Sequence, residues 1–481
     1  MRDELVRLFS RAVAHAADYR ASLGENSGKP ARGYHEMREA LMEPLPETGK
    51  APETMLEELV ARSAGGLMPI TGPRFFGWVM GASHPAGVAA DWMVSAWGQN
   101  VGYHTPTPAL AAREEVAESW LLEALDLPRE ASIGFTTGAT VANAVCLAAA
   151  RTAVLLRRGW DPDADGLFGA PPVEVLIGAE AHSSLFSSLQ IIGFGYNRVT
   201  RIATDDQGRM LPDALAEAIG VGEGPKIVIA NAGQINTGAF DPYREIVSIA
   251  RAAGAWLHVD GAFGLWARAT RSHRHLTEGI EGADSWATDG HKWLQVPYDC
   301  GFAIVRDREA HQRAMTQWSS YLPSIGQGDR VPSAYVPELS RRGRGTPVWA
   351  MFKTLGRQGI AELVERHCGY ARQMAALLAA EPGIRVLNEV VLNQVIVSFG
   401  EGDAETRKAR TEAVIEKVQR SGVCYLGGAN WRGDWVMRIS VTSAATTAED
   451  IEMSAEAIIA AWRGEREKSE GRLPSLQPAP A

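Results

Sequence analysis

The stretch SWATDGHKWLQVP, residues 285–297, starts as an apolar strand-like run, breaks at Thr288-Asp289-Gly290, and then sets His291 beside Lys292. Trp293, Leu294, Val296 and Pro297 follow at once, which predicts burial around the lysine. A buried ammonium is costly unless paired or neutralised, and lysines held that way are suited to forming Schiff bases. Taken alone, the stretch also suits a surface or structural lysine after a turn. The rest of the chain has to decide.

Working outward, short β-rich runs alternate with helical ones from about residue 75 to 310. The strand candidates are VEVLIG (173–178), RVTRIA (198–203), KIVIANA (226–232), AWLHVD (255–260), SWAT (285–288) and GFAIV (301–305). Helical stretches such as DALAEAIG and YREIVSIARAAG lie between them. Continuous apolar strands alternating with helices predict an α/β domain with a mostly parallel sheet covered on both faces. Before this zone lie short helices broken by Gly/Pro-rich loops; after about 345 comes a smaller α+β lobe with an antiparallel flavour.

Ligands of such sheets gather beyond the carboxyl ends of the strands. Four places there carry chemistry. GFTTGATVANAVCLAAAR (134–151) runs from an apolar stretch through small residues into an Ala-rich helix, a start that suits an anion or, more plainly, an ordinary capped helix. His182 stands just past VEVLIG. Asp260 ends AWLHVD, where a carboxylate needs a partner or an Asx-turn role. Lys292 follows one strand later. Together these suit pyridoxal 5'-phosphate (PLP): an amine for the aldehyde, a carboxylate for the ring nitrogen, a flat side chain for the ring face, and donors around Ala139 and Thr140 for the phosphate.

The bulk properties agree. Formal charge is −9, from 48 basic and 57 acidic residues, with no basic block, which argues against nucleic acid or an anionic membrane as partner. Cys146, Cys300, Cys368 and Cys424 form no CxxC pair, so no zinc site or disulfide frame is expected, and a reducing, cytoplasmic setting is. Val141 to Leu156 is the most apolar long stretch, but Asn143 and Arg151 interrupt it, and a soluble protein is expected.

The segments HVDGAFG, SWATDGHKWLQVPYDCG, EAHSS, FTTGATVAN, ELSRRGRG and MRISVTSAATTAEDI resemble the group II PLP-dependent decarboxylases, relatives of aromatic L-amino-acid and glutamate decarboxylases, from about Phe75 to Trp462. The HKW lysine with its upstream HVD is the specific part. The resemblance implies the type I, aspartate-aminotransferase-like fold: a mostly parallel seven-stranded sheet flanked by helices, with a smaller C-terminal α+β domain. The expected divisions are an N-terminal helical segment (1–75) packing on a dimer partner, a PLP-binding domain (76–345), a small domain (346–463) and a disordered tail (464–481). The protein would be a homodimer with shared active sites.

Carried onto this chain, the resemblance makes Lys292 the Schiff-base lysine and Asp260 the ring-nitrogen partner. His182 and Ala262 would lie on opposite ring faces. Ala139, Thr140 and His291 would meet the phosphate, with Ser340 reaching in from the other subunit. Tyr321, in SSYL, or His182 would return a proton to Cα. Trp78 and Tyr103 would line the substrate pocket. The family often has Asn where this chain has Asp289, and an acid there would repel phosphate unless protonated or turned away, so Asp289 is left out of the phosphate set. Gln234 stands where relatives have a hydroxyl and is a candidate cofactor contact. The implied reaction is decarboxylation of an L-amino acid to the amine and CO2, with an aromatic or large apolar amino acid as the expected substrate. The alternatives are an aldehyde synthase, which deaminates oxidatively as it decarboxylates, and a C–C lyase like sphingosine-phosphate lyase. An aminotransferase or a PLP-binding regulator has less in the sequence to recommend it.

Overall fold

Seven strands form the large sheet: β1 (Ser132–Thr136), β2 (Glu174–Gly178), β3 (Val199–Ile202), β4 (Lys226–Asn231), β5 (Trp256–Asp260), β6 (Ser285–Asp289) and β7 (Gly301–Val305). Their order is β1-β7-β6-β5-β4-β2-β3. β3, β2, β4, β5 and β6 pair in parallel, while β7 runs antiparallel to both β6 and β1. Every residue of β1, β5, β6 and β7 is buried, as uninterrupted apolar runs covered on two faces require. The fold is the mostly parallel α/β sheet, with a smaller C-terminal sheet, that the sequence predicts.

The computed structural model describes residues 1–25, 28–316 and 329–469. It divides into two compact units. The large sheet belongs to the unit of 79–372 and 388–395; the other unit takes 1–78, 373–387 and the described chain from 396 onward. The N-terminal segment therefore groups with the C-terminal lobe. That unit carries the helices Arg2–Ser22, Tyr34–Leu41 and Pro52–Ser63, and the helices Ala404–Ser421 and Ala448–Ser469. It also holds most of a second sheet, β8 (Ile384–Val386), β9 (Gln394–Phe399), β10 (Gly427–Trp431) and β11 (Asp434–Ser440), in the order β10-β11-β9-β8. The expected tail beyond 469 lies outside the described residues.

The helix Ala139–Leu156 is the centre of the large unit's core. Ala142, Val145, Cys146, Ala149 and Ala150 pack with Trp256, Ala287, Ala303 and Val305 from β5, β6 and β7. Small side chains let its axis come close to the sheet, so dense packing is reached without large residues. Among the described helices it is the one long and apolar enough to cross a membrane, yet 72% of that stretch is buried inside the protein. Asn143, which breaks the apolar run, faces the sheet and accepts from His258 Nε2 at 2.8 Å.

Candidate active site

The strand ends converge on one cavity of about 370 Å³. His182 after β2, Asn231 ending β4, Asp260 ending β5 and Asp289 ending β6 line it, with Ala262, Phe263, His291, Lys292, Tyr298 and the helix start Thr137–Val141. Six of the expected residues thus meet with Asp260: Lys292, His182, Ala262, Ala139, Thr140 and His291. Tyr103 and Ser340 lie elsewhere, lining a second hollow of about 410 Å³ with Asn100 and Leu339. Asn100 Nδ2 donates to Ser340 Oγ at 3.4 Å. Trp78 belongs to the other unit, where its ring packs on Phe75 at 6.1 Å and Tyr425 at 5.6 Å. Tyr321 lies outside the described residues.

Glycines position the lysine and the helix start. A Cβ on Gly81 would lie 1.9 Å from His291 O and 2.6 Å from Lys292 Cα, so this backbone rests directly on the His-Lys pair. A Cβ on Gly301 would lie 2.5 Å from the Gly138 backbone, so β7 meets the residue just before the helix without an intervening side chain. Gly138 has no side chain to cap that helix.

The helix start is instead met by Asp289, whose Oδ1 accepts the Ala139 N–H at 2.6 Å. Asp289 Oδ2 pairs with Lys292 Nζ at 2.9 Å. Asp289 is therefore neither turned away nor remote: it faces the very N–H expected to receive a phosphate. A helix N-terminus favours an anion through its unsatisfied N–H groups and dipole, and here a carboxylate of the chain itself supplies one.

Asp260 is 4% exposed. Burial pushes its carboxyl up to about 6, against the pull of Lys292 and of the Ala262 N–H, with Asp289 adding to the rise. The Ala262 N–H reaches Asp260 Oδ1 at 3.2 Å. Burial lowers the pKa of His291, opposed by Asp289. Its Nδ1 accepts from Cys300 N–H at 3.2 Å, and its ring lies 4.3 Å from that of Tyr298. Burial raises the Tyr298 phenol to about 12. His182 caps the helix Ser183–Ile191, accepting from Ser184 N–H at 3.2 Å, which fixes its ring at the cavity wall. Gln234 has a different occupation from the expected one. Its Oε1 accepts from Asn236 and Thr237 N–H, and its Nε2 donates to Glu180 O.

Asn231, Phe263 and Tyr298 were not singled out by sequence. Asn231 pairs in register with Asp260 across β4 and β5, so the strand-end rule that finds Asp260 finds it too.

The sequence profile described as the pyridoxal-dependent decarboxylase conserved domain matches residues 35–399. The chain belongs to this family. It is 28% identical over 430 residues to an aromatic-L-amino-acid decarboxylase of Bacillus atrophaeus, covering 86% of each chain. It is 31% identical over 370 residues to an L-2,4-diaminobutyrate decarboxylase of Rhizobium meliloti (strain 1021), covering 74% of this chain and 72% of that one. In fold it is similar to the crystal structure of Oryza sativa TDC with PLP and tryptamine, with a TM-score of 0.91 and 22% identity over 97% of this chain and 99% of that one. Family membership makes the protein a carboxy-lyase, a decarboxylase of amino acids that uses pyridoxal 5'-phosphate.

The cavity fits that cofactor by its donor set. It offers one amine, two strand-end carboxylates, a helix start whose N-cap residue has no side chain, and two imidazoles, in a volume suited to a small ligand. The Cβ that any other residue would carry at Gly138 would crowd His291 Cε1 at 3.2 Å and Asp289 Oδ1 at 3.4 Å, so the glycine keeps the anion end open.

Proposed function

We propose that this cavity decarboxylates an L-amino acid with an aromatic or large apolar side chain, releasing the amine and CO2. The observation that carries the reading is the meeting of Lys292, Asp260 and the start of the helix Ala139–Leu156 in one cavity. When bound, pyridoxal 5'-phosphate supplies an aldehyde for the substrate amine and a ring that takes up the electron pair left by departing CO2. Lys292 Nζ would hold the cofactor through its aldehyde and yield that place to the substrate amine. Asp260 would keep a proton on the ring nitrogen. His182 and Ala262 would flank the ring. The N–H groups at Ala139 and Thr140, with His291, would receive the phosphate. Tyr321 or His182 returns the proton to Cα.

Support for the substrate class comes from the wall of the cavity. Val141, Ile235 and Phe263 are apolar, and the cationic or potentially cationic lining groups are Lys292, His182 and His291. No arginine among the described lining residues stands ready to pair with an acidic side chain. A relative named for aromatic amino acids points the same way.

The reading includes a homodimer in the cytoplasm. The helices Arg2–Ser22, Tyr34–Leu41 and Pro52–Ser63 bury none of their residues within the chain. They leave Leu5, Val6, Phe9 and Tyr34 exposed, a surface suited to a second copy. Tyr103 and Ser340, in their own hollow, would then serve the partner's site.

A panel of L-amino acids, with CO2, amine, aldehyde and H2O2 measured separately, tests the reaction. Amine in step with CO2 from an aromatic substrate is expected. Aldehyde and peroxide in step with CO2 would make the protein an aldehyde synthase. Turnover confined to diamino or acidic substrates would overturn the substrate class.

A further inference from the structure

Phosphate is drawn to a helix start by its free N–H groups and by any cation beside it. At the start of the helix Ala139–Leu156 the side chain that meets those groups has the wrong sign. Asp289 Oδ1 stands 2.6 Å from Ala139 N and 3.6 Å from His291 Nε2, and its Oδ2 pairs with Lys292 Nζ at 2.9 Å. Asp289 is 2% exposed, so water and salt do little to screen it.

The groups around Asp289 supply no lasting positive charge to offset it. Lys292 does so in the cofactor-free protein, but its nitrogen has to leave the ion pair to reach the aldehyde. Burial raises the Tyr298 phenol to about 12 and pushes the Cys300 thiol up as well, so both stay neutral. Asp260, at the neighbouring strand end, is a second carboxylate. Arg344, which acts on Cys300, is engaged with Asp299, its Nε donating to Oδ1 at 2.8 Å. No arginine among the described residues lines the cavity.

Neither imidazole is placed to take up a compensating proton. A backbone N–H only donates, and the Cys300 N–H points at His291 Nδ1 at 3.2 Å. His291 therefore carries its one proton on Nε2, the nitrogen nearer Asp289. A second proton would have to sit on Nδ1, against that N–H. The Ser184 N–H occupies His182 Nδ1 at 3.2 Å in the same way. Burial also lowers the His291 pKa, so at neutral pH it offers an anion an N–H but no charge.

We propose that Asp289 is a cofactor-binding residue that admits the phosphate only together with a proton, shared between its carboxylate and a phosphate oxygen. In water a phosphate monoester loses its second proton at about pH 6, so above that pH the proton comes from solvent and binding takes it up. The carboxylate, the N–H groups of the helix start and the neutral His291 then meet a singly charged anion that donates as well as accepts. The inference rests on the phosphate lying at the start of the helix Ala139–Leu156.

Pyridoxal has the same aldehyde and ring and lacks the phosphate. The ratio of its Kd to that of pyridoxal 5'-phosphate therefore isolates the anion end from Lys292 and Asp260. Measured on the cofactor-free protein by visible absorbance, that ratio should fall about tenfold per pH unit between about pH 6.5 and 8, as one proton demands. Calorimetry at about pH 8, in buffers of different ionisation enthalpy, should show about one proton more taken up with the phosphorylated ligand than with pyridoxal. Asp289→Asn should flatten the ratio and abolish the extra proton. A flat ratio with equal proton counts in the wild-type protein would overturn the proposal without any variant being made. So would a slope that survives in Asp289→Asn, because the proton would then belong to another group, or a lowered melting temperature as that variant's only change. His291→Ala tests the premise. If it leaves the ratio unchanged at every pH, the phosphate does not lie at this helix start; if it lowers the ratio while the wild type shows no slope, only the shared proton fails.

Discussion

Replacing Asp289 with Asn should tighten cofactor binding while weakening the cofactor-free protein. The carboxylate accepts the Ala139 N–H at 2.6 Å and pairs with Lys292 at 2.9 Å, so in the absence of a ligand it neutralises both the helix start and the amine. A phosphate drawn to that helix start must come close to this charge, and Lys292 must give up its ion pair when it takes the aldehyde. Two like charges about 5 Å apart repel by ~3 kcal/mol at an effective dielectric constant of about 20. His291 and the first-turn N–H groups screen part of this, which leaves about 1.4–3 kcal/mol, or ~10–100-fold in Kd. Asn keeps the size and an oxygen for Ala139 N–H, and removes only the charge. The same change strips Lys292 of its counter-ion at a site where Asp289 is 3% and Lys292 17% exposed, so the melting temperature of the cofactor-free protein should fall. Equilibrium titration of the cofactor-free protein by visible absorbance, with melting curves before and after loading, measures both. Opposite signs in the two readouts are the signature. Unchanged or weaker cofactor affinity in Asp289→Asn would refute the reasoning, because the carboxylate would then sit comfortably beside the phosphate.

Borohydride reduction of the loaded protein should attach the cofactor to Lys292 alone, and Lys292→Ala should abolish the attachment; peptide mapping that finds another lysine would end the assignment. Gly81→Ala drives a methyl into His291 O and Lys292 O, 1.9 and 2.4 Å away, and overpacking of this kind costs ~1–3 kcal/mol. Denaturation should show that loss together with weakened cofactor binding, and an unperturbed variant would mean that the contact yields. Burial holds His258 and His311 at about 3, well below the unfolded value of 6.5. The unfolded chain therefore binds more protons between pH 6.5 and 3, and stability drops by roughly 1.4 kcal/mol per group per pH unit as pH falls through that window. Asp260 and Asp241, each raised to about 6, have the opposite sign between 3.8 and 6 in the cofactor-free protein and offset the loss there. Denaturant midpoints measured from pH 7 to 3 check the balance: little slope down to about pH 4 and a drop below it are expected, and no drop below it would mean that these imidazoles are hydrated.

The strands were legible because burial on both faces leaves an unbroken apolar run, as in KIVIANA and GFAIV. The antiparallel course of β7 was not, since such runs carry no mark of direction. Lys292, Asp260 and His182 could be read at strand ends, where the sheet gathers its ligands. The orientation of Asp289 could not. It depends on Gly138 and Gly301, far apart in sequence, bringing the helix start against β7. Gln234 misled for a related reason: a polar side chain beside the site looks like a ligand until its turn is seen to bind it at both ends. The grouping of residues 1–78 with the C-terminal lobe rests on contacts between distant segments, which no local pattern records.

The register of β5 has a consequence for how the enzyme is born. Asn231, Asp260 and Ala287 stand side by side across β4, β5 and β6. A slip of one residue would turn Asp260 and His258 to the opposite face and bring Val259 to the cavity side. The misaligned chain would bury nearly as much apolar surface, because Leu257 and Val259 are as apolar as the core they would enter. Hydrophobic burial alone is thus a weak judge of this alignment, whereas a ligand held by both Lys292 and Asp260 would be a strong one. With those two contacts, pyridoxal 5'-phosphate would act as a proofreader of assembly: it would bind chains whose central strand has settled correctly and hold them there, while mispaired chains would stay free to unfold and try again.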